Sequence, residues 1–170
     1  MLDVIKNRRA CRAFSSKEVE ISKINEIVDA GLLAPSGMNR QTPVVIVIKD
    51  KKVRDELEAL NKKIMGRDVD PFYGAPVILL VIAHKEGLSI HDGAACIENM
   101  LLEATNQGLA SCWIHRADEE IKSLEGREIL SFTGLNFDDF VGVGHVIIGY
   151  PKEGFVSNPK IIKDNRKIIK

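Results

Sequence analysis

Apolar positions along the 170-residue chain fall into two distinct periods. In "ISKINEIVDAGLLAPS" (21–36), Ile21, Ile24, Ile27, Val28 and Leu32 recur at the three-and-four spacing of a helix with one buried face. Pro35 ends that pattern, because proline disfavours helical geometry at the residue before it. "PVVIVIK" (43–49) and "APVILLVIA" (75–83) are aliphatic and β-branched runs without alternation, which predicts central strands covered on both faces. Between them, "KKVRDELEALNKKIM" (51–65) predicts a charged amphipathic helix. After them, "GAACIENMLLEATNQG" (93–108) predicts a longer, deeply buried one closed by Gly108.

Weaker signals complete the frame. "DVIKNRR" (3–9) reads as a short first helix, and "ADEEIKSLE" (117–125) as a helix starting near Asp118. "LASCWI" (109–114) is a short strand or an extended loop, and "GHVIIGY" (144–150) another interior strand. The last twenty residues alternate basic and apolar positions without a hydrophobic face, so they either trail in solvent or lie across another surface such as a partner subunit. No repeat or Gly/Ser-rich linker divides the chain, which predicts one domain over 1–170, α+β in class with a mixed sheet.

Charge narrows the partners. Lys plus Arg and Asp plus Glu number 24 each, so no global field draws the protein to nucleic acid or an anionic bilayer. The balance is local, however. Residues 1–14 carry four basic groups against one acidic, and 151–170 carry six against two. The counts alone favour two solvated tails over one compact anion site. Cys11, Cys96 and Cys112 are odd in number and lack C-x-x-C spacing, which suggests neither a disulfide framework nor zinc and fits a reducing, cytoplasmic setting. "MLDVIKNRRA" is too charged for a secretory leader, and no apolar run is long enough to cross a bilayer.

The chemical motifs of common enzymes are missing. H-E-x-x-H, G-x-S-x-G, G-x-G-x-x-G after a strand and G-x-x-x-x-G-K-[ST] do not occur. His84, His91, His115 and His145 are scattered, and His91 with Asp92 is the only adjacent pair that suggests metal or acid–base work. Ser111 and Cys112 carry no mark of an activated nucleophile. Two stretches remain. "RRACRAF" (8–14) concentrates Arg8, Arg9 and Arg12, whose guanidiniums can grip a phosphate through paired charge-assisted hydrogen bonds. The plainer alternative is that they favour the dipole of an ending helix by a few tenths of a kcal/mol. "APSGMNRQTP" (34–43) sets Asn39 and Gln41 at the mouth of a strand, where their amides can read the edge of a heteroaromatic ring, although turn chemistry explains Pro35, Ser36 and Gly37 equally well.

"RRACRAF", "APSGMNRQTP", "GAPVILLVIA", "DGAACIENMLLEATNQGLASCWI" and "IIGYP", in this order and nearly end to end, resemble the FMN-dependent nitroreductase family in its short form. The resemblance implies an α+β, nitroreductase-like fold with a mixed, mainly antiparallel central sheet flanked by helices. It also implies an intertwined homodimer with FMN at the subunit interface. Matched by position, Arg8 helped by Arg9 would hold the flavin phosphate, and Arg12 would lie near flavin N1 and O2. Pro35, Ser36, Gly37, Asn39 and Gln41 would meet the flavin from the other subunit. Trp113, Ile114 and His115 would lie by N5 and O4. In the tail, Arg166 is the best match for a further phosphate contact and Lys163 a weaker one. Asn61 and Lys62 are the counterparts of the family's Asn and Lys contacts.

Departures are visible: Ala10 stands where the family commonly has serine, "QTP" replaces Q-P-W, and the segment between the two central strands is short. The implied activity is ping-pong hydride transfer from NADH or NADPH to FMN, then to a nitroaromatic or quinone-like acceptor. The short segment motivates an alternative, an FMN-binding electron relay served by a protein donor. A basic dimer gripping nucleic acid conflicts with zero net charge and a lack of interleaved aromatics.

Overall fold

The computed structural model describes residues 1–157, 160 and 163. Its α-helices are α1 (Asp3–Asn7), α2 (Ile21–Leu32), α3 (Lys51–Met65), α4 (Ser89–Asn106), α5 (Ala117–Lys122) and α6 (Leu124–Ile129). The strands are β1 (Pro43–Ile48), β2 (Val77–His84), β3 (Ala110–Ile114) and β4 (Phe140–Gly149), in the order β1-β2-β4-β3 with every pair antiparallel. A single parallel bridge, Ala10 to Ser111, adds the mixed element outside β3.

The unbroken apolar run of β2 has a direct cause. Val77, Leu79 and Val81 face the core under α2 and α4, while Ile78, Leu80 and Ile82 face a second core under α3 and α5. Each full burial of such a side chain contributes about 1.5–3 kcal/mol, so the period-two signal vanishes where both faces are covered. Helices α2 and α4 lie against each other closely: a Cβ on Gly31 would come within 2.6 Å of the Met100 side chain.

Besides the first helix, which ends at Asn7, three boundaries differ from the sequence reading. Helix α4 begins at Ser89, four positions before Gly93, and Gly93 lies against Val143 so tightly that a Cβ there would sit 2.5 Å from Cγ2. That contact comes from a bulge: Val81 pairs with Gly144 but Ile82 with Gly142, which turns Val143 toward α4. Strand β4 starts at Phe140, paired with His84. The pattern at 117–125 splits at Ser123, whose backbone is extended (ψ 150°) and whose Oγ accepts from Gly126 N at 2.9 Å, capping α6.

Candidate functional site

The first helix stops at Asn7 and Arg8 is already extended (φ −55°, ψ 126°), yet Arg9 still serves the helix end by donating to the Lys6 carbonyl, whereas Arg8 and Arg12 make no such bond among the described residues. They run along the outer side of β3, where Cys11 N–H donates to Ser111 O at 2.9 Å. The same segment is stitched to the chain leaving β4: Ser15 N–H donates to Tyr150 O (2.9 Å) and Lys152 N–H to Ala13 O (3.0 Å). Backbone pairing thus brings the two basic ends together, against the solvated tails that charge counts favour. Arg8, Arg9, Arg12 and Lys160 line one cleft of about 460 Å³, and no carboxylate among the described residues lines it.

Their individual settings differ. Arg8 Nε lies 3.6 Å from Glu98 Oε1, and Arg9 Nη1 donates to the carbonyls of Lys6 and Arg8, both at 2.7 Å. Arg12 is exposed and makes no hydrogen bond or ion pair among the described residues. Lys163 is exposed, and Arg166 lies outside the described residues.

Arg12 also lines a second cleft of about 250 Å³, together with Tyr73, Trp113, Ile114 and His115. Trp113 rests on bare backbone: a Cβ on Gly144 would fall 2.2 Å from its Nε1. The wall is fixed from behind. Asn61 Nδ2 donates to His115 O (3.1 Å) and to Glu120 Oε1 (2.5 Å), while His145 Nε2 lies 2.8 Å from Glu120 Oε2. Asn61, Glu120 and His145 are wholly buried. Asn61 is thus turned into the fold: its Nδ2 is used by His115 and Glu120, and its wholly buried Oδ1 has no hydrogen-bond partner among the described residues, so its reading as a cofactor contact is corrected on burial. Lys62 pairs instead with Glu58 at 3.0 Å.

Beneath the arginines, Cys11 and Cys112 are free thiols. Burial raises both, outweighing the opposing charge of Arg12, which leaves them protonated packing groups. Cys96, against α2, is pushed up to about 11 by burial alone. His91–Asp92 holds no metal cluster among the described residues. Asp92 is a clamp instead. Its Oδ1 accepts from Gly37 N (3.0 Å) and its Oδ2 from Thr42 Oγ1 (3.1 Å), closing both ends of the "SGMNRQT" loop.

That loop holds the remaining sequence candidates. Met38, Asn39 and Gln41 all have positive φ (54°, 55° and 51°), a conformation that non-glycine residues adopt at a cost. Ser36 Oγ accepts from Gln41 N at 2.9 Å, and Gln41 Nε2 donates to Asn39 Oδ1 at 3.1 Å. Pro35, Asn39 and Gln41 are exposed, and Ser36 and Gly37 half-buried. The loop feeds β1, at the opposite edge of the sheet from the arginines. Four inter-strand spacings separate those edges, about 19 Å at ~4.8 Å each. One chain brings Arg8, Arg9 and Arg12 together with 113–115, and leaves 35–41 apart from both.

Three cations of these clefts were not singled out by sequence. Lys160 lines the first, Arg67 and Arg116 the second. Arg67 follows the left-handed Gly66 that ends α3, and Arg116 itself is left-handed (φ 81°). Neither position carries a periodic signal.

Comparison with known proteins sharpens this. The model of the Nitroreductase family matches residues 5–68. A crystal structure of a nitroreductase with bound FMN from Bacteroides fragilis superposes with a TM-score of 0.90 at 29% identity, covering 98% of this chain and 96% of that one. Another, from Desulfitobacterium hafniense and also with bound FMN, gives 0.85 at 25% identity over 99% and 97%. A protein of Archaeoglobus fulgidus named "Putative NADH dehydrogenase/NAD(P)H nitroreductase" is 28% identical over 89% of this chain and 86% of its own.

Proposed function

We propose that the chain is a member of the nitroreductase family and an FMN-dependent NAD(P)H oxidoreductase acting on nitroaromatic or quinone-like acceptors. The observation that carries this reading is the stitching of the two chain ends into one cleft lined by Arg8, Arg9, Arg12 and Lys160, which Arg12 joins to the cleft lined by Trp113–His115. The donor set fits a phosphate, which guanidiniums receive through charge-assisted hydrogen bonds.

Bound FMN would supply a two-electron carrier, reduced by NADH or NADPH and reoxidised by the acceptor in ping-pong order. The chain's own residues do the rest. Arg8, with Arg9, Lys160 and the tail cations Lys163 and Arg166, holds the phosphate. Arg12 sets a positive charge beside the ring edge, favouring an anionic reduced state. Trp113, Ile114 and His115 form the wall along the ring, held in place by Asn61 through the His115 carbonyl.

The site is shared by two protomers. Pro35, Ser36, Gly37, Asn39 and Gln41 stand at the far sheet edge, so a second copy must bring its loop to the first copy's arginines. Leu33, Met38 and Ile90 keep large apolar side chains exposed near that loop (82%, 77% and 58%), as a surface awaiting a partner does. The expectation that residues 151–170 lie across the partner is corrected for the described part of that tail, which lies along its own chain's arginine segment through Lys152 N–H to Ala13 O and lines the same cleft at Phe155–Ser157 and Lys160.

The test is direct. Purified protein should be yellow and dimeric, with one FMN per protomer, and anaerobic mixing with NADH or NADPH should bleach the flavin within the turnover time. Equal rates from intact and flavin-stripped protein would remove the proposal. Bleaching only by a protein donor would leave the flavin and replace the enzyme with an electron relay. Arg12→Ala should retain FMN yet lower its reduction potential, read by equilibration against a redox dye.

A further inference from the structure

We propose that Arg67 and Arg116 form an anion subsite in the Trp113 cleft, so that the preferred substrate carries an oxyanion beside its reacting part. This deepens the flavin reading and rests on it.

The charge of that cleft is one-sided. Arg12, Arg67, Arg116 and His115 line it, and no Asp or Glu among the described residues does. By contrast, Arg54 pairs with Asp55 and Arg127 with Asp138, each at 2.6 Å. Neither Arg67 nor Arg116 has a side-chain hydrogen bond or ion pair among the described residues. Two unpaired guanidiniums facing one cleft repel each other, a cost that an incoming anion removes.

Both are held there by backbone features. Gly66 adopts φ 66°, its N–H reaches Lys62 O at 2.9 Å, and the closed helix end delivers Arg67 to the rim. Arg116 sits at φ 81°, ψ 12°, between β3 and α5, where glycine carries no strain. The strain is sustained by the buried tether: the carbonyl of the preceding residue is gripped by Asn61, itself locked to Glu120 and His145. A segment this fixed holds the Arg116 backbone in one place, so binding has only the side chain left to order.

Lining narrows the substrate. Tyr73 and Trp113 offer ring surfaces beside the cations. The chemistry they suit is an arene bearing a carboxylate. The extra 2′-phosphate of NADPH offers the same oxyanion chemistry, and the two sources separate experimentally.

The experiment uses the FMN-loaded dimer, wild type and the Arg67→Gln, Arg116→Gly double variant, with Arg116→Lys as the charge-keeping control. Glycine suits the left-handed position and residue 67 is exposed, so the double variant keeps the fold. Flavin per protomer is measured first by visible absorption. Benzoate and benzamide are then titrated into oxidised holoenzyme, read by perturbation of the flavin band. kcat/KM follows for 4-nitrobenzoate against 4-nitrobenzamide, and for NADPH against NADH.

We expect benzoate to bind about tenfold or more tightly than benzamide, a preference that collapses in the double variant and partly survives in Arg116→Lys. A nitrobenzoate preference with NADPH and NADH equal assigns the subsite to the acceptor, and the reverse assigns it to the donor. Ratios within twofold in every arm of the wild type, or preferences unchanged in the double variant, overturn the subsite while leaving the flavin reading intact. A colourless wild-type protein overturns both.

Discussion

The two edges of the sheet are held by opposite means. The arginine edge is a backbone structure: Ala10–Ser111, Ser15–Tyr150 and Lys152–Ala13 fix the chain, and the charged side chains project from a ladder indifferent to their identity. The loop edge is a side-chain structure. One buried carboxylate, Asp92, receives Gly37 N–H and Thr42 Oγ1, and between those points three non-glycine residues sit at positive φ. A ladder tolerates exchange of the side chains it carries, whereas a clamp fails with its one acceptor. The first edge should therefore respond to mutation in ligand affinity, and the second in stability as well.

Experiments can break that contrast at several strengths. Arg8→Ala should lose most bound FMN, measured by flavin absorbance, while its flavin-free form unfolds at the same urea midpoint as flavin-free wild type, measured by circular dichroism. Mixing it with an Asn39→Ala, Gln41→Ala variant should restore FMN to about a quarter of all sites. Random pairing makes half the dimers mixed, and each mixed dimer has one undamaged site of two. No recovery would mean that both edges serve a site within one protomer. Asp92→Ala should destabilise the fold by about 2 kcal/mol, since a buried acceptor with two donors is lost. It should also reduce flavin affinity, so full flavin content in the folded fraction would detach the loop from the site. Ser36→Ala, which removes only the acceptor for Gln41 N–H, should cost about 1 kcal/mol by urea unfolding.

How far the sequence reaches follows from the same contrast. The spacing of Ile24 and Ile27 and the unbroken run of β2 reveal helix α2 and a doubly covered strand, because burial imposes its period locally. The early end of α1 is not legible: nothing in "NRRAC" announces that a distant Ser111 will take those residues into a bridge. Of the candidate site, Arg8, Arg9 and Arg12 stand out as a cluster. Arg67 and Arg116 do not, since what marks them is a shared cleft and a left-handed backbone. Asn61 misleads for the converse reason: a polar residue in a charged helix gives no sign that it is consumed by Glu120 and His115. Asp92, whose neighbour His91 gives the pair only a weak suggestion of chemistry, is a structural clamp. No helix among the described residues is long and apolar enough to cross a membrane.

Trp113 lies on Gly144 with no room for even one added carbon. The position of the indole in its cleft is thus governed from the adjacent strand, by what residue 144 lacks. A single methyl there would displace the indole and reshape the cleft without touching any of the arginines that line it.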